Sequence, residues 1–294
     1  MHHYRLSPNF ISNVNECAIS PCKTGPGVVK CRVDTHRRTK QKKIIGERIF
    51  SNMMVTVIGR GHSGTRAISH TLSQSGVFMG EPLNISGDLL PPQEMYDACR
   101  EMAKYVRFEG GLKWDFSQVF AMEPTEEFKR LITSYLKSVF ASENPNKGWK
   151  IPETTLVYPW IIKMFPDIKY IHWVRDPRDC ILGSHLTDDL NDFGIRYDKT
   201  DDIRRNRAIS WYYQRELVRA TPKPQNTISV RFEDMIFEQE ETLRRLERFL
   251  GIKLVKIPMR TDSVGRYLND NDVHMFDFFR EDMLECGYEL EKGV

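Results

Sequence analysis

Nowhere in its 294 residues does the chain carry a run approaching the roughly 18 apolar side chains needed to span a bilayer, and its N-terminus has no apolar signal-peptide core. The expectation is a soluble, cytoplasmic protein without a transmembrane segment. The six cysteines, at 17, 22, 31, 99, 180 and 286, lack any four-ligand zinc spacing, which fits a reducing compartment and no metal site. There is no internal repeat. A basic excess is absent from most of the chain: residues 1–52 hold ten Lys/Arg against three Asp/Glu, and the remainder has 33 against 37. The basic run from Arg37 to Lys43 has no interleaved aromatics, so nucleic acid is not the expected partner. Residues 1–52 show neither helical nor strand periodicity and are expected to be a disordered basic tail. One domain is expected over 53–294, where 40% apolar and 11% aromatic residues in the chain suffice for a core.

What is present is organised around residues 53–72. Met53 to Ile58 is a short apolar, β-branched run that reads as a strand buried on both faces. Gly59, Gly61 and Gly64 break it, and a helical pattern with Ala67, Ile68 and Leu72 follows. Glycines let the backbone turn tightly around an anion, and the helix aims its positive end at the same point, so the stretch reads as a phosphate cradle. Gly59-x-x-x-x-Gly64 begins like a nucleoside-triphosphate loop. The Lys and Ser/Thr that would hold the terminal phosphates and magnesium are replaced by Thr65 and Arg66, which disfavours a magnesium-triphosphate site.

Residues 76–88 return to the sheet edge and break into a loop. This places Glu81 and Asp88 near the carboxyl end of the sheet, as general base or as solvated loop acids. Helical spacing over 93–106 and 126–140 predicts a cover on one side of the site. A strand over 169–175 ends in Arg175, whose fixed fork suits a phosphate clamp, followed by Asp176 and Pro177 as helix cap and first turn. His172, inside that strand, reads as a core histidine. A polar, mobile loop is predicted at 188–200, a helix at 201–221, a strand at 227–232 and an amphipathic helix at 238–250 stopped by Gly251. A final helix is predicted at 272–286.

Together these stretches resemble the sulfotransferase family over residues 53–288. Arg60-Gly61-His62-Ser63-Gly64-Thr65-Arg66 is similar to the family's 5′-phosphosulfate loop, and Arg175-Asp176-Pro177-Arg178-Asp179 through Ser184 resembles its 3′-phosphate motif. Arg231 to Met235, with Thr242 to Leu246 and Phe249-Leu250-Gly251, resembles the adenine-side strand and helix. Lys150-Ile151-Pro152 falls where many members have lysine-x-proline, and Ser263-Val264-Gly265-Arg266 resembles the late loop that closes over the nucleotide. There are two departures: His62 stands where Lys or Arg is usual, and the arginine-to-serine spacing lands on Gly183, with Ser184 one residue later.

The resemblance implies a three-layer α/β fold with a mainly parallel central sheet, helices on both faces and a P-loop-like nucleotide site. It implies sulfuryl transfer from 3′-phosphoadenosine 5′-phosphosulfate to an acceptor hydroxyl, on a carbohydrate or small alcohol, with no metal. Lys150 and His62 would face the leaving bridging oxygen, with charge drawn from protonated His62 or from Arg60, Arg66 and Lys150. The amides of Gly61, His62, Ser63, Gly64 and Thr65 would hold the 5′-phosphate. Arg175, Ser184 and Arg266, with Ser263 and Gly265 of the same loop, would hold the 3′-phosphate, and Phe232 would stack on adenine. Glu81 is the first choice of base and Asp88 the second. A P-loop small-molecule kinase and a non-catalytic nucleotide-binding module stay open as alternatives, and the oligomeric state is left open.

Overall fold

The structure, a computed structural model, describes residues 52–290; the expected tail falls, Asn52 apart, outside them. Its strands are β1 (Met53–Ile58), β2 (Arg107–Gly110), β3 (Lys113–Asp115), β4 (Asn146–Trp149), β5 (Lys169–Val174) and β6 (Thr227–Arg231). Four of them form a wholly parallel sheet in the order β4-β1-β5-β6, and β2 pairs antiparallel with β3 apart from it. Phe78 adds a parallel bridge to Lys147 beside β4, so residues 76–88 do return to the sheet edge.

The side-chain period of two sends alternate residues of each strand to opposite faces. Val55, Val57, Ile171 and Trp173 pack with Ile68, Leu72, Met235 and Leu246. Ile58 and Tyr170 pack on the other face with Met95, Phe128, Trp160 and Tyr213. Helices Thr65–Gln74, Phe232–Phe237 and Gln239–Leu250 supply the first cover, and Gln93–Ala103, Glu126–Tyr135, Tyr158–Met164 and Ile203–Ala220 the second. Each fully buried leucine or isoleucine here contributes roughly 2 kcal/mol of transfer free energy. The result is the three-layer α/β architecture expected, and among the described residues no helix is long and apolar enough to cross a membrane.

Three local expectations are corrected. The stretch 188–200 is packed, not a free loop: short 3-10 turns at Leu186–Asp188 and Leu190–Phe193 bury Leu190, Phe193, Ile195 and Tyr197, and Phe193 meets Tyr96 with ring centroids 5.5 Å apart. Phe193, Ile195 and Tyr197 do alternate with exposed Gly194 and Arg196, but the stretch pairs with no strand among the described residues, and its inward face is set by packing. The predicted final helix shrinks to Arg280–Glu285 after a turn at Asp277–Phe279. Its expected first half is drawn out where Arg204 holds both Asp270 and Asp272, at 3.3 and 3.5 Å. Phe232 opens a helix instead of closing β6.

Because all four strands are parallel, their carboxyl ends lie along one edge of the sheet, the edge where ligands of open α/β sheets bind. Gly59 and Arg60 follow β1, Lys150 follows β4, Arg175 follows β5 and Phe232 follows β6.

Candidate active site

A cleft of about 480 Å3 opens at that edge. Gly61, His62, Gly64, Thr65, Arg66, Lys150, Arg175, Phe232, Ser263 and Arg266 line it, as does Asp88. An apolar part of its wall is formed by Ala67, Ile236, Ile257, Pro258 and Met259.

The loop from Gly59 to Gly64 is held by its carbonyls. Ser63 Oγ donates to the Arg60 carbonyl at 2.5 Å, Arg60 Nη1 to that of Gly61 at 3.0 Å, Arg175 Nη1 to that of His62 at 2.9 Å and Trp173 Nε1 to that of Ser63 at 2.9 Å. Gly59 N–H is tied to Thr155 Oγ1 at 2.9 Å. Two glycines are required by close approach. A Cβ on Gly61 would lie 2.2 Å from the His185 ring, and one on Gly64, where φ is +84°, would lie 2.4 Å from Phe232. Gly64 is also the N-cap of Thr65–Gln74.

Lys150 is 1% exposed, and its ammonium donates to Asp88 Oδ1 at 2.5 Å and to the Ser86 carbonyl at 2.8 Å. Burial lowers its pKa and the Asp88 carboxylate opposes that fall. Asp88 is fixed in turn by Asn84 Nδ2 on its second oxygen at 2.8 Å. Arg66 reaches the same loop through Ser86 Oγ at 2.9 Å.

Five of the residues singled out from the sequence are not brought to the lining. Arg60 is 4% exposed: its Nη1 also donates to the Cys180 carbonyl at 3.1 Å and its Nη2 pairs with Asp188, so it braces the loop from within. Ser63 Oγ is turned to the Arg60 carbonyl. Glu81 is exposed, because residues 82–90 double back through a Leu83–Leu89 bridge that carries Asp88, not Glu81, to the cleft. Ser184 is exposed and meets His62 through its carbonyl. Gly265 N–H donates to Asp179 Oδ2 at 2.8 Å.

His62 is not the expected cation. Its ring packs against Gly183 and His185, and burial lowers its pKa from 6.5, with Arg60 adding to the fall and the Ser184 carbonyl opposing it. The imidazole is therefore neutral at pH 7, with Nε2 assigned as the donor to the Ser184 carbonyl. The cationic charge facing the cleft belongs to Arg66, Lys150, Arg175, Arg260 and Arg266, of which Arg260 is paired with Asp262 at 2.6 Å. His172 is half-buried on β5, away from this cleft and lining a separate cavity, and desolvation pushes its pKa down to about 3.

Several residues at the site carried a weaker sequence signal. Asp179, fully buried, accepts from Arg175 Nη2 at 3.3 Å, Gly265 N–H at 2.8 Å and Tyr267 N–H at 3.2 Å, and so joins Arg175 to the late loop. Its place as the last residue of Arg-Asp-Pro-Arg-Asp was the available hint. Glu153 is buried near Asp88 and Lys150, and desolvation raises its pKa to about 7. His185, also lining the cleft, is held neutral by burial, with a pKa of about 3. Among the described residues no group of three or more His, Cys, Asp or Glu is gathered so as to hold a metal ion.

The fold and this site define an α/β domain whose glycine loop, cations and carboxylate meet at the carboxyl edge of a parallel sheet. The model described as "Sulfotransferase family" matches residues 55–256, and the chain belongs to that family, a family of transferases. Relatives include the omega-hydroxy-beta-dihydromenaquinone-9 sulfotransferases Stf3 of Mycobacterium bovis and Mycobacterium tuberculosis, each 28% identical over 143 residues. The match takes in 47% of this chain and 37% of either relative, so it spans little more than a third of their length. Among solved structures, the sulfotransferase domain from the curacin biosynthetic pathway overlays with a TM-score of 0.47 at 13% identity, covering 81% of this chain and 98% of its own. A sulfotransferase from Alicyclobacillus acidocaldarius gives 0.45 at 16%, covering 80% and 96%.

Proposed function

We propose that the chain binds 3′-phosphoadenosine 5′-phosphosulfate in the 480 Å3 cleft and transfers its sulfuryl group to an acceptor hydroxyl, with Lys150 and Asp88 at the reacting centre. The observation that carries this reading is a buried ammonium paired to a carboxylate in the same cleft as a phosphate-type loop. The residues suit such a donor. Each loop carbonyl from Arg60 to Ser63 is drawn to a protein donor, and peptide planarity sets the N–H edges of Gly61, His62 and Gly64 opposite, available to a 5′-phosphate, while Ser63 N–H closes a turn onto the Arg60 carbonyl at 3.2 Å. Arg175 and Arg266 supply charge for a 3′-phosphate, and Phe232 with Ile236, Ile257 and Met259 supplies apolar surface for a purine.

When bound, this donor offers an activated sulfuryl group whose departure leaves negative charge on a phosphate oxygen. Lys150 and Arg66 provide fixed positive charge for it, and removing one such donor typically costs about 3 kcal/mol, roughly a hundredfold in rate. Asp88 takes the proton from the acceptor hydroxyl, the role first read for Glu81. The acceptor class is an alcohol, whether carbohydrate, small alcohol or a lipid bearing a hydroxyl as in the names of the Stf3 relatives.

Thermal-shift titration with 3′-phosphoadenosine 5′-phosphate is the first test. Stabilisation at micromolar levels, with far less from ATP and magnesium, is expected because ATP lacks the 3′-phosphate. Equal stabilisation by both would favour a kinase, and nucleotide binding without sulfate transfer to any alcohol in a mixed acceptor pool would leave a binding module.

A further inference from the structure

A second, much smaller cavity of about 30 Å3 lies against the phosphate loop, bounded by Gly59, Arg60, Ser63, Arg175 and Gln214 among others. Three buried atoms of its lining residues find no hydrogen-bond partner in the protein: Arg60 Nε, Arg175 Nε and Gln214 Oε1. All three side chains are almost wholly hidden, at 4, 6 and 2% exposure. In both arginines the terminal nitrogens are already engaged, Arg60 by Gly61, Cys180 and Asp188, and Arg175 by His62, Asp179 and Ser263. Nε is the nitrogen left with no partner at all, while Arg60 Nη2 and Arg175 Nη1 each keep one further N–H. Gln214 has its amide oriented by Nε2, which donates to the Ser210 carbonyl at 3.3 Å and to Ser210 Oγ at 3.1 Å, so its oxygen is the remaining atom.

The chemistry of these three atoms selects the occupant. Two guanidinium N–H groups repel a cation, and a carbonyl oxygen repels an anion. A neutral molecule that accepts twice and donates at least once satisfies all three, and the cavity exceeds the roughly 10–15 Å3 that one water requires. We infer that a water molecule is bound here, accepting from Arg60 Nε and Arg175 Nε and donating to Gln214 Oε1, and that Gln214 is through it a positioning residue for the phosphate loop. These are the arginines that hold the Gly61 and His62 carbonyls. Helix Ile203–Ala220 thus reaches the anion-binding backbone without touching the cleft. The same cavity shares His172, Val174, Arg215 and Val218 with a larger one of about 490 Å3, which gives water a way in.

The effect on nucleotide binding rests on the donor reading above; the hydration site does not. A crystal structure of the full chain at high resolution should show ordered density at roughly 3 Å from all three atoms. A dry cavity, or Gln214 Oε1 bonded directly to either arginine, would overturn the inference. Gln214→Leu leaves the water without its acceptor and should weaken 3′-phosphoadenosine 5′-phosphate binding about tenfold, the usual scale for one hydrogen bond in a charged network. Gln214→Glu, which keeps an acceptor at the same place, should restore affinity to within about threefold of wild type. Wild-type affinity in Gln214→Leu would remove the positioning role. If Gln214→Leu does not fold, the wild-type density and the Gln214→Glu affinity decide. Should the wild-type chain bind no 3′-phosphoadenosine 5′-phosphate at all, the donor reading fails while the density still tests the water.

Discussion

The imidazole of His62 fills the space that a side chain at residue 183 would need: a Cβ on Gly183 would lie 2.9 Å from both Nδ1 and Cε1 of the ring. The two positions at which the chain departs from the sulfotransferase pattern are thus in contact, and each departure accommodates the other. Gly183→Ser should push the imidazole off the Ser184 carbonyl and disturb the loop beside it. In a His62→Ala background the same substitution should cost little. A double-mutant cycle on nucleotide affinity should return a coupling of about 0.5–3 kcal/mol, and simple additivity would show that the two residues act apart.

Lys150→Ala should reduce turnover between about tenfold and a hundredfold while leaving the affinity for 3′-phosphoadenosine 5′-phosphate within about threefold, because the ammonium acts on charge that develops during transfer and the loop and Arg175 contacts persist. Steady-state kinetics beside equilibrium titration of the folded variant checks this. Unchanged turnover would take Lys150 out of the mechanism and leave Arg66 as the cation on the Ser86 side of the cleft.

Asp179 is the joint between Arg175 and the late loop. Asp179→Ala strands a buried guanidinium and the amides of Gly265 and Tyr267, which should destabilise the protein by about 3–5 kcal/mol. Asp179→Asn keeps an acceptor and should lose less. Trypsin should cut after the exposed Arg266 faster in either variant than in wild type, and an unchanged cleavage rate would mean that the loop is held from elsewhere.

Burial raises the Glu153 pKa from 4.5 to about 7, so the fold favours the protonated acid. Its contribution to stability is complete below about pH 4.5 and is lost as pH rises through 7, an effect on the order of 3 kcal/mol. Glu153→Gln holds the neutral shape at every pH. Melting curves from pH 5 to 8 should therefore show wild type losing stability relative to Glu153→Gln as pH rises; parallel curves would place the carboxyl in the ordinary range.

Much of the fold could be read from local pattern. β1, the glycine turn, the cap at Asp176 and the stop at Gly251 depend on residues within a few positions of one another, because strand pleat, helix period and left-handed glycine conformations are short-range properties of the backbone. The order of four parallel strands, and hence the convergence of Lys150, Arg175 and the loop on one edge, follows from those elements once they pair.

The direction in which each site residue points was settled only in three dimensions. Arg60 turns inward because Asp188 lies 128 residues away in sequence but beside it in space, and Lys150 is a buried cation because Asp88, 62 residues earlier, meets it across a doubled-back loop. His62 loses its charge to the packing of Gly183 and His185, and Asp179 gains its role from loop amides 86 and 88 residues later. Sequence by itself determined the elements and the kinds of side chain at their ends. Tertiary structure decided which of those side chains are desolvated and which face the cleft, because charge state and orientation depend on partners brought together only by folding.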